Sequence, residues 1–170
     1  KKIFSLATPV IISNLSRVLM GIVDMAMVGH LGATALAAVG MAGMVTWTAM
    51  SPGISLRTGT QTVVSRRLGE KKYNQCGTAL RNMHLFAFFI GIPLSLICYY
   101  FTTPIISFFI KDPDTLWQCI DYAELNFLGI YFMYGAFIFQ GFYTGIEKTK
   151  LHMKVVLASN ILNLYLNIGL

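Results

Sequence analysis

Apolar residues fill this chain in five long blocks, and short connections between them carry most of its charge. A helix needs about 20 apolar residues to cross ~30 Å of hydrocarbon. Blocks at approximately 3–30, 35–64, 78–110, 116–145 and 155–170 reach or approach that length. They predict an all-α integral membrane protein, a polytopic bundle of about five transmembrane helices. A kink is expected at Pro9 in the first block, a break at Ser51-Pro52-Gly53 in the second, and interruptions at Pro93 and Pro104 in the third. Proline lacks an N–H and clashes with the preceding turn. The groups so freed are tolerated in a membrane only where protein or water satisfies them. Residues beyond Tyr100 read as interfacial. Asp121 and Glu124 fall in the expected first turns of the fourth block, where the helix dipole favours acids. The first block is too long for a signal-peptide core and reads as a span. The fifth offers 16 residues and stops in apolar sequence, so the chain reads as the N-terminal portion of a longer protein.

Composition agrees: of 170 residues 55% are hydrophobic and 12% charged, with a mean hydropathy of +0.63, whereas a soluble domain carries about twice that charged fraction. A net charge of +6 would point to nucleic acid in a soluble chain. Here the basic residues gather in the connections, which is a mark of topology, and no nucleic-acid partner is expected. The stretch Ser65–Tyr73 holds four basic residues and one acid, and Gly145–Lys154 is also basic, while Lys111-Asp-Pro-Asp114 holds one basic residue and two acids. With Lys1 and Lys2, the basic connections predict a multi-pass protein of the cell membrane with a cytoplasmic N-terminus. Cys76, Cys98 and Cys119 have no metal-ligand spacing and read as packing residues.

Inside the blocks, polar residues are few and therefore informative. Between Ile3 and Leu31 only Arg17 and Asp24 are charged, and each costs about 2.5 to 3.5 kcal/mol near the bilayer centre. Seven residues apart, they lie two turns from each other on roughly one helix face, about 10 Å along the axis. One reading makes Asp24 the functional centre; the other makes the two an ion pair that orients the helix. Asn160, Asn163 and Asn167 align along one face of the fifth block, either as interhelical hydrogen-bonding groups or as part of a polar cavity shared with Asp24. Arg57 can snorkel toward the basic connection, in a structural or gating role. His30, His84 and His152 read as non-functional, although His30 stands near the outer mouth. The many aromatics and the methionines of the first two blocks suit packing, lipid contact or an adaptable apolar cavity. No HExxH, phosphate loop, GxSxG or paired acid-rich motif occurs, so the chain does not read as an enzyme.

Three stretches resemble the multidrug and toxic compound extrusion (MATE) family of secondary transporters. In the first, Pro9 is followed fifteen residues later by Asp24 and the run Val-Asp24-Met-Ala-Met-Val-Gly-His-Leu-Gly-Ala-Thr-Ala-Leu-Ala-Ala-Val-Gly40. The second is Val63-Val-Ser-Arg-Arg-Leu-Gly-Glu-Lys-Lys72, and the third joins Gly145-Ile-Glu-Lys-Thr-Lys-Leu-His-Met153 to Asn163-Leu-Tyr-Leu-Asn167. The resemblance implies twelve helices in two six-helix bundles, this chain covering most of the first, with the missing C-terminal bundle as its partner. It also implies export of organic cations or other amphipathic small molecules in exchange for H+ or Na+, with no cofactor. Asp24 falls on the family's coupling acid, Pro9 on its helix-bending proline, and Asn163 and Asn167 on its fifth-helix polar positions. Where some members carry a second acid this chain has Asn167, which leaves both proton coupling and a Na+ site at Asp24 open. A lipid-linked saccharide flippase of the same superfamily, favoured by Arg17 and Arg57, and a non-transporting scaffold subunit are the rival readings.

The charge pattern makes a direct prediction. With the native cysteines replaced, a single cysteine at position 113 is expected to react with an impermeant thiol reagent in intact cells, and one at position 74 to be protected. The reverse labelling would invert the topology.

Overall fold

A computed structural model describes residues 2–169. Lys1 and Leu170, which fall in the N-terminal flank and fifth block of the sequence reading, lie outside the described residues. Eight helices run in chain order: α1 (Lys2–Gly29), α2 (Ala33–Met50), α3 (Pro52–Gly69), α4 (Tyr73–Tyr100), α5 (Thr102–Phe109), α6 (Pro113–Leu128), α7 (Ile130–Gly145) and α8 (Thr149–Gly169). By length and composition three spans can cross a membrane: Leu6–Gly29, Ala33–Gly69 and Tyr73–Tyr100. The pair α6 and α7, bent by 50° where they meet, makes a fourth. The last helix, α8, carries Lys150, Lys154 and three asparagines. Large apolar side chains such as Phe89 (71% exposed) and Phe132 (76%) cover the outer surface, as expected where lipid rather than water is the neighbour.

Several expectations are corrected. Pro93 does not interrupt α4, which stays helical through it; one lost backbone bond is tolerated inside a packed membrane helix. The break comes instead at Phe101, where the Thr102 hydroxyl donates to the carbonyls of Cys98 (2.9 Å) and Tyr99 (2.8 Å). Pro104 then sits in the first turn of the short helix α5, where a missing N–H costs nothing. Pro9, by contrast, is expected only to kink its helix and lies inside α1, where its carbonyl accepts from the buried Ser13 hydroxyl at 2.8 Å. The fourth block starts at Pro113, capped by Asp112, whose carboxylate accepts from the Thr115 backbone N–H. Asp121 and Glu124 are therefore well inside α6 rather than in its first turns. The fifth helix starts at Thr149, six residues before the expected position.

At the discontinuity between α2 and α3, the chain keeps its helical direction through Ser51. Pro52 cannot donate to the Thr48 carbonyl, which accepts instead from the Ser51 hydroxyl at 2.8 Å. The Ala49 carbonyl receives the buried Tyr134 hydroxyl of α7 at 2.9 Å. At the second break, the Phe127 carbonyl at the end of α6 accepts from the Ser95 hydroxyl of α4 at 2.6 Å. Each stranded backbone acceptor is thus met by a side chain, as a hydrocarbon surrounding demands.

Packing is closest between α3 and α7, followed by α2 with α6 and α1 with α8. Glycine makes the first contact possible: a Cβ on Gly141 would run into the Arg57 carbonyl, and one on Gly145 would stand 3.0 Å from the Val64 side chain. Small residues that let helix backbones meet are the usual cement of membrane bundles. Cys76 and Cys119 are buried, with sulfurs 3.8 Å from the Val64 carbonyl and 3.5 Å from that of Ala38. They pack between helices, as their spacing implies.

Both basic connections close with one backbone motif. Lys71 (φ 59°) and Glu147 (φ 60°) adopt the left-handed conformation, and Lys72 N–H and Lys148 N–H reach back to the carbonyls of Arg67 and Tyr143. This is the Schellman arrangement that ends a helix. Glu70 accepts from Arg66, Arg67 and Lys72 at 3.0 to 3.2 Å. The hydrogen bonds from Lys72 and then Arg66 hold its pKa down to about 2, so the cluster persists above that pH and is lost on further acidification.

Gly141→Ala in the full-length protein is expected to lower thermal stability by about 1 to 3 kcal/mol, because a backbone carbonyl cannot step aside. Gly77→Ala, with open space around it, is the neutral control. Equal melting temperatures for the two variants would contradict this account of the α3 and α7 contact.

Candidate functional site

Two polar features lie inside the bundle, and α1 takes part in both. The first is a seam between α1 and α8. Asn167 Nδ2 donates to Asp24 Oδ1 at 2.9 Å and to Asn163 Oδ1 at 3.0 Å. Two turns toward the start of α8, Asn160 Nδ2 donates to the Ser16 hydroxyl at 2.7 Å. The three asparagines therefore do align on one face, and that face is turned toward α1. Asp24 is half-buried and Asn163 exposed. A carboxylate held by one amide keeps lone pairs free, and the neighbouring amide oxygens add to them. An oxygen-rich spot of this kind suits a proton or a hard monovalent cation.

The second feature is a cavity of about 510 Å³ bounded by α1, α2, α7 and α8. Trp47, Phe137, Phe139 and Tyr143 give it aromatic walls, and Arg17, Gln140, His152 and Asn160 give it polar groups. Arg57 stands behind it on α3, near enough for its charge to bear on Arg17 and on His152. Arg17 and Asp24 do not form an ion pair: among the described residues neither Arg17 nor Arg57 has a carboxylate partner. Arg17 turns to the cavity and Asp24 to the seam.

Of the residues marked in the sequence, Asp24, Asn163 and Asn167 come together; Arg17 lines the cavity instead, with Arg57 behind it; Pro9 lies nearer the start of α1 and is buried. Two polar cavity residues are not among the sequence candidates, Gln140 and His152. His152 reads as non-functional in the sequence, whereas it occupies the first turn of α8 and lines the cavity. Gln140 is the one amide in a long aromatic run and is 2% exposed; that isolation was the available signal.

A helical bundle with spans long enough to cross a membrane, a polar seam and a partly open cavity has the architecture of a multi-pass membrane protein. The MatE family model matches residues 9–168, and the chain belongs to that family, whose members are membrane transporters that extrude drugs and toxic compounds. It is 31% identical over 128 residues to Protein DETOXIFICATION 27 of Arabidopsis thaliana, covering 74% of this chain and 24% of that protein. It is 29% identical over 99 residues to Multidrug resistance protein NorM of Photobacterium profundum, covering 58% of this chain and 22% of that one. The fold matches a MOP superfamily transporter from Pyrococcus furiosus Vc1 with a TM-score of 0.92 at 19% identity, over 98% of this chain and 37% of the other. The chain thus spans less than two thirds of the length of each.

The separation of Arg17 from Asp24 has a measurable consequence. Arg17→Met in the full-length protein is expected to change stability by less than about 1 kcal/mol. Breaking a buried ion pair would cost about 3 to 5 kcal/mol, and a loss of that size would restore the pairing reading.

Proposed function

We propose that this chain is most of the first bundle of a secondary antiporter, which exports amphipathic organic compounds across the cell membrane in exchange for H+ or Na+. A second bundle completes the translocation path, and the N-terminus lies in the cytoplasm. Asp24 is the coupling carboxylate. The single observation that supports this most is the Asn167 amide donating to Asp24 across the seam between α1 and α8.

The working of the seam follows from its chemistry. With Asp24 ionised, the Asn167 N–H groups satisfy it and draw α8 onto α1. When a proton or Na+ neutralises Asp24, the carboxyl group no longer needs that donor. A protonated Asp24 donates its own hydrogen, and the amides must turn their oxygens toward it. One helix carries both the seam acid and, two turns away, the Arg17 wall of the cavity, so reseating α1 on α8 changes the cavity as well. Pro9, which leaves α1 one backbone bond short, is a natural place for that helix to flex. Exchange requires only that the cation and the exported compound favour different seatings of α1.

The test is Asp24→Asn in the full-length protein reconstituted in liposomes, with an imposed proton gradient in one series and a sodium gradient in the other. Gradient-driven flux is expected to fall to the level of empty liposomes in both series, while thermal stability is kept, since asparagine retains the volume and removes a costly charge. Wild-type flux in a stable variant would eliminate the coupling role.

A further inference from the structure

The cavity collects positive charge and supplies none of the opposite sign. Arg17 and His152 line it, and Arg57 stands close enough to act on both. Among the described residues no carboxylate pairs with either guanidinium. The nearest acid in α1, Asp24, faces the seam and is engaged by Asn167. His152 Nε2 is shut away from solvent and has no hydrogen-bond partner. A buried polar atom without a partner is uncommon and costly, and the Arg17 guanidinium faces the same cavity with no counter-charge among the described residues. Both conditions are relieved by the same thing, an anionic group with several acceptor oxygens. Around these groups the walls are aromatic, from Trp47, Phe137, Phe139 and Tyr143, and a volume of about 510 Å³ is that of a drug-sized ligand site.

We propose that this cavity binds an amphipathic organic anion, a carboxylate, sulfonate or phosphate carried on an apolar body, with Arg17 and His152 holding the anionic group and the aromatic walls holding the body. That charge is opposite to the organic cations which the family resemblance implies. Gln140, 2% exposed and on the cavity wall, supplies a further N–H donor. The Arg17 guanidinium suits such oxygens because its donors form a planar fork that meets two at once. The proposal rests on the transporter reading only in treating the ligand as the exported compound; binding itself does not depend on it.

The experiment uses two probes with one apolar body, naphthalene-2-sulfonate and 2-naphthylmethylammonium. Calorimetry measures their binding to the full-length protein in nanodiscs of phosphatidylcholine, with empty discs as the blank. The sulfonate is expected to bind at least about tenfold more tightly than the ammonium compound. Arg17→Met should weaken the sulfonate by about tenfold or more, the span of a lost charge-assisted hydrogen bond, without weakening the ammonium probe. Asp24→Asn should keep sulfonate binding even where it abolishes flux. A preference for the ammonium probe, or unchanged sulfonate binding in a folded Arg17→Met variant, would overturn the proposal. So would loss of sulfonate binding when phosphatidylglycerol replaces part of the phosphatidylcholine, since a lipid headgroup would then be the occupant. Gradient-driven flux without the sulfonate preference sinks this inference alone; the preference without any flux sinks the antiporter reading and leaves the anion site standing.

Discussion

Inside hydrocarbon a carbonyl, amide or carboxylate has no water to fall back on, and every polar group must find its partner within the protein. That constraint accounts for most of what distinguishes this bundle from a set of plain apolar rods. Where Pro52 removes a donor, the Ser51 hydroxyl replaces it on the Thr48 carbonyl, and Tyr134 reaches across from α7 to the carbonyl of Ala49. At the end of α6, Ser95 serves the Phe127 carbonyl in the same way. Each repair is made by a neighbouring turn or helix, so the breaks also tie the bundle together. The glycines of α7 bring α3 close enough for such contacts.

The same constraint gives the functional features their meaning. Asp24 accepts from the neutral Asn167 amide, and Arg17 is turned away to the cavity. In the proposed mechanism, neutralising Asp24 removes the need for that donor, and the two helices that meet at the seam both line the cavity. Among the described residues two buried imidazole nitrogens depart from the constraint, His84 Nε2 on α4 and His152 Nε2 at the cavity, and at the cavity the neighbouring Arg17 also lacks an acidic partner. An exception of that kind is expected where a ligand completes the set.

Legibility in the sequence followed the length scale of the signal. Hydropathy marks long apolar blocks, and the family resemblance rests on Asp24, the basic connection at Arg66 and Arg67, and Asn163 with Asn167. The alignment of the asparagines on one face is a matter of helical period, and the structure turns that face toward Asp24. What hydropathy could not separate was local: whether Pro93 or Phe101 would end α4 depends on the Thr102 hydroxyl and on packing around the helix, and both residues sit in equally apolar sequence. The 50° bend at Gly129 falls inside a continuous apolar block for the same reason. Nor could spacing bring His152 and Gln140 to Arg17, because the cavity forms only once α1, α7 and α8 are packed side by side.

The central claim is that Asp24 changes its ionic state as the coupling cation comes and goes. Infrared difference spectroscopy of the full-length protein reports this directly, through the carbonyl stretch of a protonated carboxylic acid as pH is lowered and the carboxylate bands as Na+ is added. The account predicts at least one of these signals in the wild-type protein and its absence in Asp24→Asn. Difference spectra that are identical for the two proteins, across pH and sodium concentration, would contradict it.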